Sequence, residues 1–203
     1  MSKFEKGAPF RLNVTQKASW RIFAGLGWDP NEAAGLVDKA KALIGGKSVE
    51  HDLDLSCYIY DADKRHINTV TSSPGHMHID QTGKIYHSGD NVAGVGDGDD
   101  EQISVELKDL DPVIHSLLFA VSIKSGHVFG EIKMPEIHLS DGYTGRRFLH
   151  APLDKPEYAS QSSFVFACLY RGEDEGWMLR FIGEAGVMGK DAEMAQRFKS
   201  YLD

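Results

Sequence analysis

Only two cysteines occur among the 203 residues, and no apolar run approaches the length of a membrane span, which takes about 20 residues. Cys57 and Cys168 both lie in alternating apolar stretches, where a thiol usually packs as a small hydrophobic side chain. A chain of this length needs no disulfide to fold, so we expect both cysteines in the core and a reducing compartment. Residues Met1 to Gly7 lack the apolar segment of a signal peptide, so we expect a cytoplasmic protein with no integral membrane segment.

Basic residues are scarce relative to acidic ones: 22 Lys and Arg stand against 30 Asp and Glu, which gives a formal charge of −8. The basic residues are scattered, as in the pair Arg146-Arg147, whereas a nucleic-acid footprint requires clustered Lys and Arg against the phosphates. We therefore expect no nucleic-acid partner. The acidic surplus favours cations or basic proteins instead.

Short runs of alternating apolar residues, separated by Gly, Pro, Asn and Asp, fill most of the chain and are typical of an antiparallel β-sandwich. The predicted class is mainly β, with two packed sheets and a few short helices. A chain of this length can form one domain, and no linker or repeat divides it, so we expect a single domain over residues 1–203. The nine predicted strands are Phe10–Val14, Ser19–Leu26, Leu53–Tyr60, Lys84–His87, Gln102–Glu106, Ser116–Ser122, Glu136–Leu139, Phe164–Arg171 and Trp177–Gly183.

Helical spacing of apolar residues is confined to a few short segments. One predicted helix covers Pro30–Ile44 and ends at Gly45-Gly46, and a second covers Asp191–Leu202. A third, short helix is predicted near Pro112–His115. Helix is therefore expected to be the minority structure.

Acidic residues crowd between Asp90 and Glu101, where five carboxylates fall within twelve residues and no Lys or Arg intervenes. Two like charges at 4 Å repel by about 1 kcal/mol in water and about 4 kcal/mol at an effective dielectric of 20, so a folded loop of this kind needs a counter-ion. Calcium accepts roughly six to eight oxygens in flexible geometry, whereas magnesium requires a near-ideal octahedron. The run therefore predicts a calcium site.

Glycines are interleaved with the acids, since Gly94, Gly96 and Gly98 lie inside the run. Glycine permits positive φ and close backbone approach, which lets a loop turn its oxygens toward an ion. The spacing is not that of an EF-hand, because counting from Asp90 puts Val95 where the invariant glycine belongs. A solvated acidic turn is the alternative, and the glycine interleaving favours the metal site.

A second source of carboxylates lies at the start of the predicted strand Leu53–Tyr60. Asp52, Asp54 and Ser56 alternate with apolar residues, so their side chains share one face of the strand. The Asp pair either projects toward the acidic run or forms an exposed strand start with two solvated carboxylates. The residues alone leave both alternatives open.

Five motifs follow one another along the chain: GLGWD at Gly25–Asp29, DLDLS at Asp52–Ser56, HSGDN at His87–Asn91, DGDDEQI at Asp97–Ile103 and IGEAG at Ile182–Gly186. In this order and spacing the sequence resembles the TerD-type family of bacterial calcium-binding stress proteins, which is associated with tellurite resistance, over nearly its whole length. The central block, from GDN to DGDDEQI, is the most specific part of the match. The resemblance implies a calcium-binding β-sandwich.

The resemblance also implies a set of metal-site residues, and we expect them to hold calcium, as two ions. Two departures stand out: an insertion over Pro30–Glu50 that carries the predicted helix, and Val128 where the family commonly has Asn. Neither touches the acidic run. Carried over residue by residue, the implied site comprises Asp52, Asp54, Asp90, Asn91, Gly94, Asp97, Gly98, Asp99, Asp100 and Glu101.

Two other clusters could be mistaken for sites. His76 and His78 could place two imidazoles on one strand face, but a zinc site needs further ligands at a recognisable spacing, so surface or loop histidines are predicted. The run Glu173–Glu175 lacks interleaved glycines and is predicted as a hairpin turn.

The leading hypothesis is a non-enzymatic calcium-binding module of the tellurite-resistance stress response, which acts through other stress-response proteins. Carboxylate clusters also hold the ions of phosphodiesterases, so a metal-dependent hydrolase is one alternative, although no companion His, Lys or Arg motif flanks the acidic run. Calcium held in the loops of a sandwich can also bind lipid phosphates. Calcium-dependent attachment to a membrane surface is the other alternative.

Overall fold

A computed structural model describes residues 5–31, 50–73, 75–94, 98–174, 176–187 and 189–202. These ranges contain eleven strands in two sheets, and neighbouring strands of each sheet pair antiparallel. The prediction of a mainly β fold with two antiparallel sheets is confirmed. The strands are β1 (Pro9–Arg11), β2 (Arg21–Asp29), β3 (Leu53–Tyr60), β4 (His66–Thr71), β5 (Ile85–His87), β6 (Glu101–Glu106), β7 (Ser116–Ile123), β8 (Lys133–Asp141), β9 (Arg147–Pro152), β10 (Ser163–Arg171) and β11 (Trp177–Gly186).

The larger sheet has the order β1-β11-β10-β7-β3-β4, and the smaller has the order β5-β6-β2-β8-β9. The main core lies between them and takes alternate residues of the central strands, such as Leu53, Leu55 and Cys57 of β3 and Leu26 of β2. A fully buried Leu stabilises the fold by about 1.5–3 kcal/mol. Packing of this core therefore fixes where β2, β3 and β6 begin and end, and with them the loops that carry the acids.

The one α-helix in the described part of the chain, α1 (Asp191–Phe198), covers the opposite face of the larger sheet and continues as a 3-10 turn, Lys199–Tyr201. Its Phe198 ring packs edge-on against Tyr58 of β3 at 4.8 Å between centroids. The predicted helix Asp191–Leu202 is thus confirmed. Because the core covers one face of β3 and α1 the other, this strand is buried along its whole length. No helix in the described ranges is long and apolar enough to cross a bilayer.

Two observed strands, β4 and β9, are absent from the predicted set. Both are edge strands, and the first half of β4 is exposed or half-buried. Arg147 and His150 of β9 point polar groups at Glu136 of β8. Edge strands that face solvent carry polar residues, so the apolar alternation in these two segments is too weak to reveal them.

Two helix predictions have different outcomes. Most of Pro30–Ile44 lies outside the described residues. The predicted short helix at Pro112–His115 is wrong, because this segment is a turn in which the Ile114 N–H donates to the carbonyl of Asp111 at 2.9 Å. The chain must be extended again at Ser116, where β7 begins, and this leaves no room for a helical turn.

Candidate metal centre

Three carboxylates meet where β3 begins and β5 ends. Asp52 precedes β3, Asp54 lies within it, and Asp90 follows the end of β5. One carboxylate oxygen from each lies within 4.8 Å of the others. Among the described residues this is the one group of three or more His, Cys, Asp or Glu side chains spaced to hold a metal ion. The Asp pair of β3 therefore does project toward the acidic run.

This three-carboxylate group is open on one side. Asp54 is 3% exposed, Asp52 is half-buried and Asp90 is exposed. The alternation of β3 explains the arrangement, because Leu53 and Leu55 point into the main core and turn the Asp side chains to the other face. A cation bound here would have protein on its inner side and solvent on its outer side.

Protein donors satisfy Asp54 but leave Asp52 without enough partners. Asp54 accepts a hydrogen bond from the Ser73 hydroxyl and pairs with the Lys124 ammonium at 3.5 Å, and its Oδ1 atom lies 3.2 Å from the Ser72 hydroxyl oxygen. The Oδ1 atom of Asp52 is buried and has no hydrogen-bond partner in the described part of the chain. A buried carboxylate oxygen without a donor is costly, so a cation is its natural partner.

The charges of the group repel one another. Burial raises the pKa of Asp52 to about 6, and the nearby carboxylates of Asp54, Asp90 and Glu101 contribute to the rise, while Lys124 opposes it. An elevated carboxyl pKa means that the ionised form is disfavoured by its surroundings. Two acids of the run, Asp90 and Glu101, thus add like charge around Asp52 and Asp54 in the fold.

Glu101, at the start of β6, is fully buried and joins the two sheets. Its Oε2 atom accepts hydrogen bonds from the N–H of Leu55 on β3, at 2.7 Å, and from His87, at 3.2 Å, and its Oε1 atom accepts one from the Ser72 hydroxyl at 2.9 Å. The Gly89 N–H donates to the other ring nitrogen of His87, so the nitrogen facing Glu101 carries the hydrogen. Both Glu101 oxygens are thus committed to protein donors.

The acids that end the run also bind protein groups. His138 of β8 lies 2.8 Å from Asp99, while Asp100 accepts hydrogen bonds from the Trp28 N–H and the Asn91 amide, both at 2.9 Å. Burial disfavours ionisation of Asp99, yet the hydrogen bond and charge of His138 outweigh it and lower the pKa. Burial raises the pKa of Asp100, and the Trp28 N–H only partly offsets this. These contacts fasten the acidic loop to β2 and β8.

Two glycines allow the loop to approach β2 so closely. At Gly94, which has φ +64°, an added Cβ would lie 2.5 Å from Nε1 of Trp28. At Gly25 an added Cβ would overlap the Asp99 carboxylate and lie 2.5 Å from Nε2 of His138. Any side chain at either position would therefore push the loop away from the strand. Gly25, the first glycine of the GLGWD motif, thus makes room for the acidic run.

The structure separates the ten predicted site residues into groups. Asp52, Asp54 and Asp90 come together. Asn91, Asp99, Asp100 and Glu101 bind other protein groups, Gly94 and Gly98 have positive φ in the loop, and Asp97 lies outside the described residues. That the residues beyond the three-carboxylate group ligate metal, and that two ions bind, stay predictions.

The other two clusters match their simpler interpretations. His76 and His78 lie in the connection between β4 and β5 and are not part of the three-carboxylate group. Asp174 lies in the turn between β10 and β11, where the Gly172 N–H donates to the carbonyl of Gly176 at 2.7 Å. The hairpin-turn prediction is confirmed for Glu173 and Asp174, whereas Glu175 lies outside the described residues.

Comparison with known proteins extends these findings. The family model described as the TerD domain matches residues 1–198. The chain belongs to the TerD family. It is 36% identical to tellurium resistance protein TerX of Serratia marcescens over an alignment that covers 88% of this chain and 90% of the relative. It is 30% identical to stress response protein SCP2 of Bacillus subtilis over an alignment that covers 89% of this chain and 90% of the relative.

The fold of this TerD-family protein also has a match among solved structures. A crystal structure of a homologue of telluride resistance protein from Streptomyces coelicolor A3(2) superposes with a TM-score of 0.67, covering 86% of this chain and 94% of that one. The two sequences are 22% identical, so the likeness concerns the fold alone.

Several side chains around the three-carboxylate group escaped sequence reasoning. Ser72 and Ser73 directly follow β4, itself an unpredicted strand, and Lys124 is a single lysine after β7. None of them lies in a motif or an acidic run. Only the pairing of β3 with β4 and β7 brings them beside Asp54.

Proposed function

We propose that this TerD-family protein is a calcium-binding protein of the tellurium-resistance and stress-response type, and that it acts by binding rather than by catalysis. Asp52, Asp54 and Asp90 hold the ion, and calcium binding alters the surface presented to partner proteins in the cytoplasm. The role in resistance or stress is proposed by analogy with relatives named for tellurium resistance and stress response.

One observation carries the metal-binding part of this proposal: the buried Oδ1 atom of Asp52 has no hydrogen-bond partner among the described residues, although two more carboxylates lie within 4.8 Å. Folding a chain around such a group is unfavourable unless a cation neutralises it. The donor set fits a hard cation, because all three candidate ligands are carboxylate oxygens. When bound, calcium supplies the positive charge that cancels their repulsion.

The choice of calcium over magnesium rests on the openness of the group. Asp90 is exposed and lies in a loop, so it can adjust to the longer and more variable bonds of calcium, at about 2.3–2.6 Å. Magnesium needs bonds of about 2.0–2.1 Å in a strict octahedron and sheds its water reluctantly. A partly exposed group of three carboxylates therefore suits calcium better.

Paired calorimetric titrations of chelator-treated protein test this proposal. Calcium should bind at least about tenfold more tightly than magnesium, because only calcium tolerates the irregular oxygen geometry. The two titrations share one protein preparation, buffer and ionic strength, since exposed charges are screened by salt. Equal affinities for the two ions, or no heat with either, would contradict a calcium site.

A further inference from the structure

A lysine from outside the acidic run pairs with one carboxylate of the three-carboxylate group. The Nζ atom of Lys124 lies 3.5 Å from Oδ2 of Asp54, and the two side chains are 23% and 4% exposed. Among the described residues, Lys124 has the one Lys or Arg ammonium or guanidinium nitrogen that forms an ion pair with Asp52, Asp54 or Asp90.

The backbone fixes Lys124 in this position. Its N–H donates to the carbonyl oxygen of Asp52 at 2.8 Å, and the Asp52 N–H donates in return to the hydroxyl of Ser125 at 3.2 Å. The lysine and the acids are therefore neighbours however the flexible lysine stem turns. A tethered charge has a high effective concentration at its partner, so Lys124 competes efficiently with ions from solution.

Lys124 also borders an open groove that could accommodate its ammonium group. Lys124 lines an open groove of about 740 Å³, together with His127, Ser162 and Lys190. The four-carbon stem of a lysine can swing its ammonium between two such places at little cost. One residue thus borders both the acidic group and an open groove.

We propose that Lys124 is the resident counter-cation of the three-carboxylate group, and that a divalent cation displaces it into the groove. The inference rests on the proposed function, since it assumes that Asp52, Asp54 and Asp90 hold the ion. A single ammonium neutralises only part of three carboxylates, whereas a divalent ion in direct contact neutralises more. A free monovalent ion carries no more charge than the tethered ammonium. Lys124 therefore makes the site selective for divalent ions and sets the calcium concentration at which it fills.

Replacing the lysine tests the competition. Lys124→Met keeps most of the stem but removes the charge, so calcium should bind about tenfold or more tightly than to the parent in calorimetric titrations. Lys108→Met is the matched control, because it removes the charge of an exposed lysine that lies outside both the groove and the three-carboxylate group. It should change calcium affinity by less than about twofold. Equal affinity of the parent and Lys124→Met would overturn the inference while leaving the calcium site intact, whereas failure of both to bind calcium would overturn the proposed function as well.

Displacement can be followed in the unaltered protein through the reactivity of lysine amines. Under brief acetylation with limiting reagent, followed by mass spectrometry, Lys124 should react several-fold faster with saturating calcium than with chelator, because the ion releases its amine from Asp54. Lys108, which is exposed and lies outside the groove, serves as the internal reference and should react equally in both conditions. A Lys124 rate that is unchanged, or lowered, by calcium would overturn displacement.

Discussion

Asp54→Asn is expected to weaken calcium binding by about 100-fold or more, a larger loss than the 10–100-fold typical of changes around a metal's direct ligands. Asp54 is the most buried of the three carboxylates and sits on β3, held by the packing of the core. Asn keeps the shape and one acceptor oxygen, so the loss reports the missing charge rather than a cavity. Calorimetric titration of the folded variant measures it directly.

The ligand set can be separated from general electrostatics by a second variant and a control. Asp90→Asn should also weaken binding, and the double variant with Asp54→Asn should lose less than the sum, because residues that share one ion are coupled. Asp154→Asn removes an exposed carboxylate outside the group and should leave affinity unchanged. Additive losses from Asp54→Asn and Asp90→Asn would show that the two acids serve different sites.

Glu101 provides a sharper contrast, because sequence similarity implies that it is a ligand. Its oxygens are taken by a backbone N–H, a histidine and a serine, and a backbone N–H cannot rotate away to admit an ion. Gln can keep the same acceptor toward Leu55. Glu101→Gln should therefore reduce calcium affinity by less than about tenfold, well short of the loss at Asp54.

Saturating calcium is expected to raise the melting temperature of the parent protein by about 5–10 °C. A ligand at a hundredfold excess over its Kd stabilises the native state by about 2.7 kcal/mol, and each kcal/mol corresponds to roughly 2–4 °C for a chain of this size. Scanning calorimetry with calcium, with magnesium and with chelator measures the effect. An unchanged melting temperature in calcium would show that no folded-state site exists.

Asp52→Asn should separate the stability of the ion-free protein from its stabilisation by calcium. It removes the charge that burial and its neighbours disfavour, so the ion-free variant should be more stable than the ion-free parent, while its response to calcium is lost. If Asp52→Asn were less stable than the parent and still responded to calcium, the assignment of Asp52 to the metal site would be contradicted. Few single substitutions stabilise a protein, which makes the sign of the change informative.

The same carboxyl predicts the pH dependence of the ion-free protein. The pKa of Asp52 is raised from 3.8 to about 6 in the folded chain, so the native state holds this proton more tightly than the unfolded state does. This contribution to stability is complete below about pH 4 and is lost as the pH rises through about 6. Denaturant midpoints at pH 5 and pH 7 should fall more steeply for the parent than for Asp52→Asn.

Much of the architecture could be predicted because the core strands have a clear alternation of apolar residues in the sequence. β3 has the predicted bounds Leu53–Tyr60, since its alternation of apolar residues reflects one face in the main core. β4 and β9 could not be predicted, because both are edge strands. Edge strands carry polar side chains that face solvent, which obscures the apolar alternation. The turn at Pro112 was mistaken for a helix because local spacing does not reveal that β7 must begin at Ser116.

The candidate site also has a part that the sequence predicts and a part that it does not. The acids could be found because like charges crowd one short run, and the alternation of Asp52 and Asp54 put both on one face. The sequence does not predict which side chains contact those carboxylates in the fold. Ser72 and Lys124 belong to segments separated from the acidic run, and only the strand pairing of the larger sheet brings them to Asp54.

A crystal structure of the protein grown with calcium, with anomalous scattering recorded at long wavelength, tests the central claim most directly. The claim predicts an anomalous peak at about 2.3–2.6 Å from a carboxylate oxygen of each of Asp52, Asp54 and Asp90. A peak elsewhere that leaves these three carboxylates without a ligand, or no peak at saturating calcium, would contradict it.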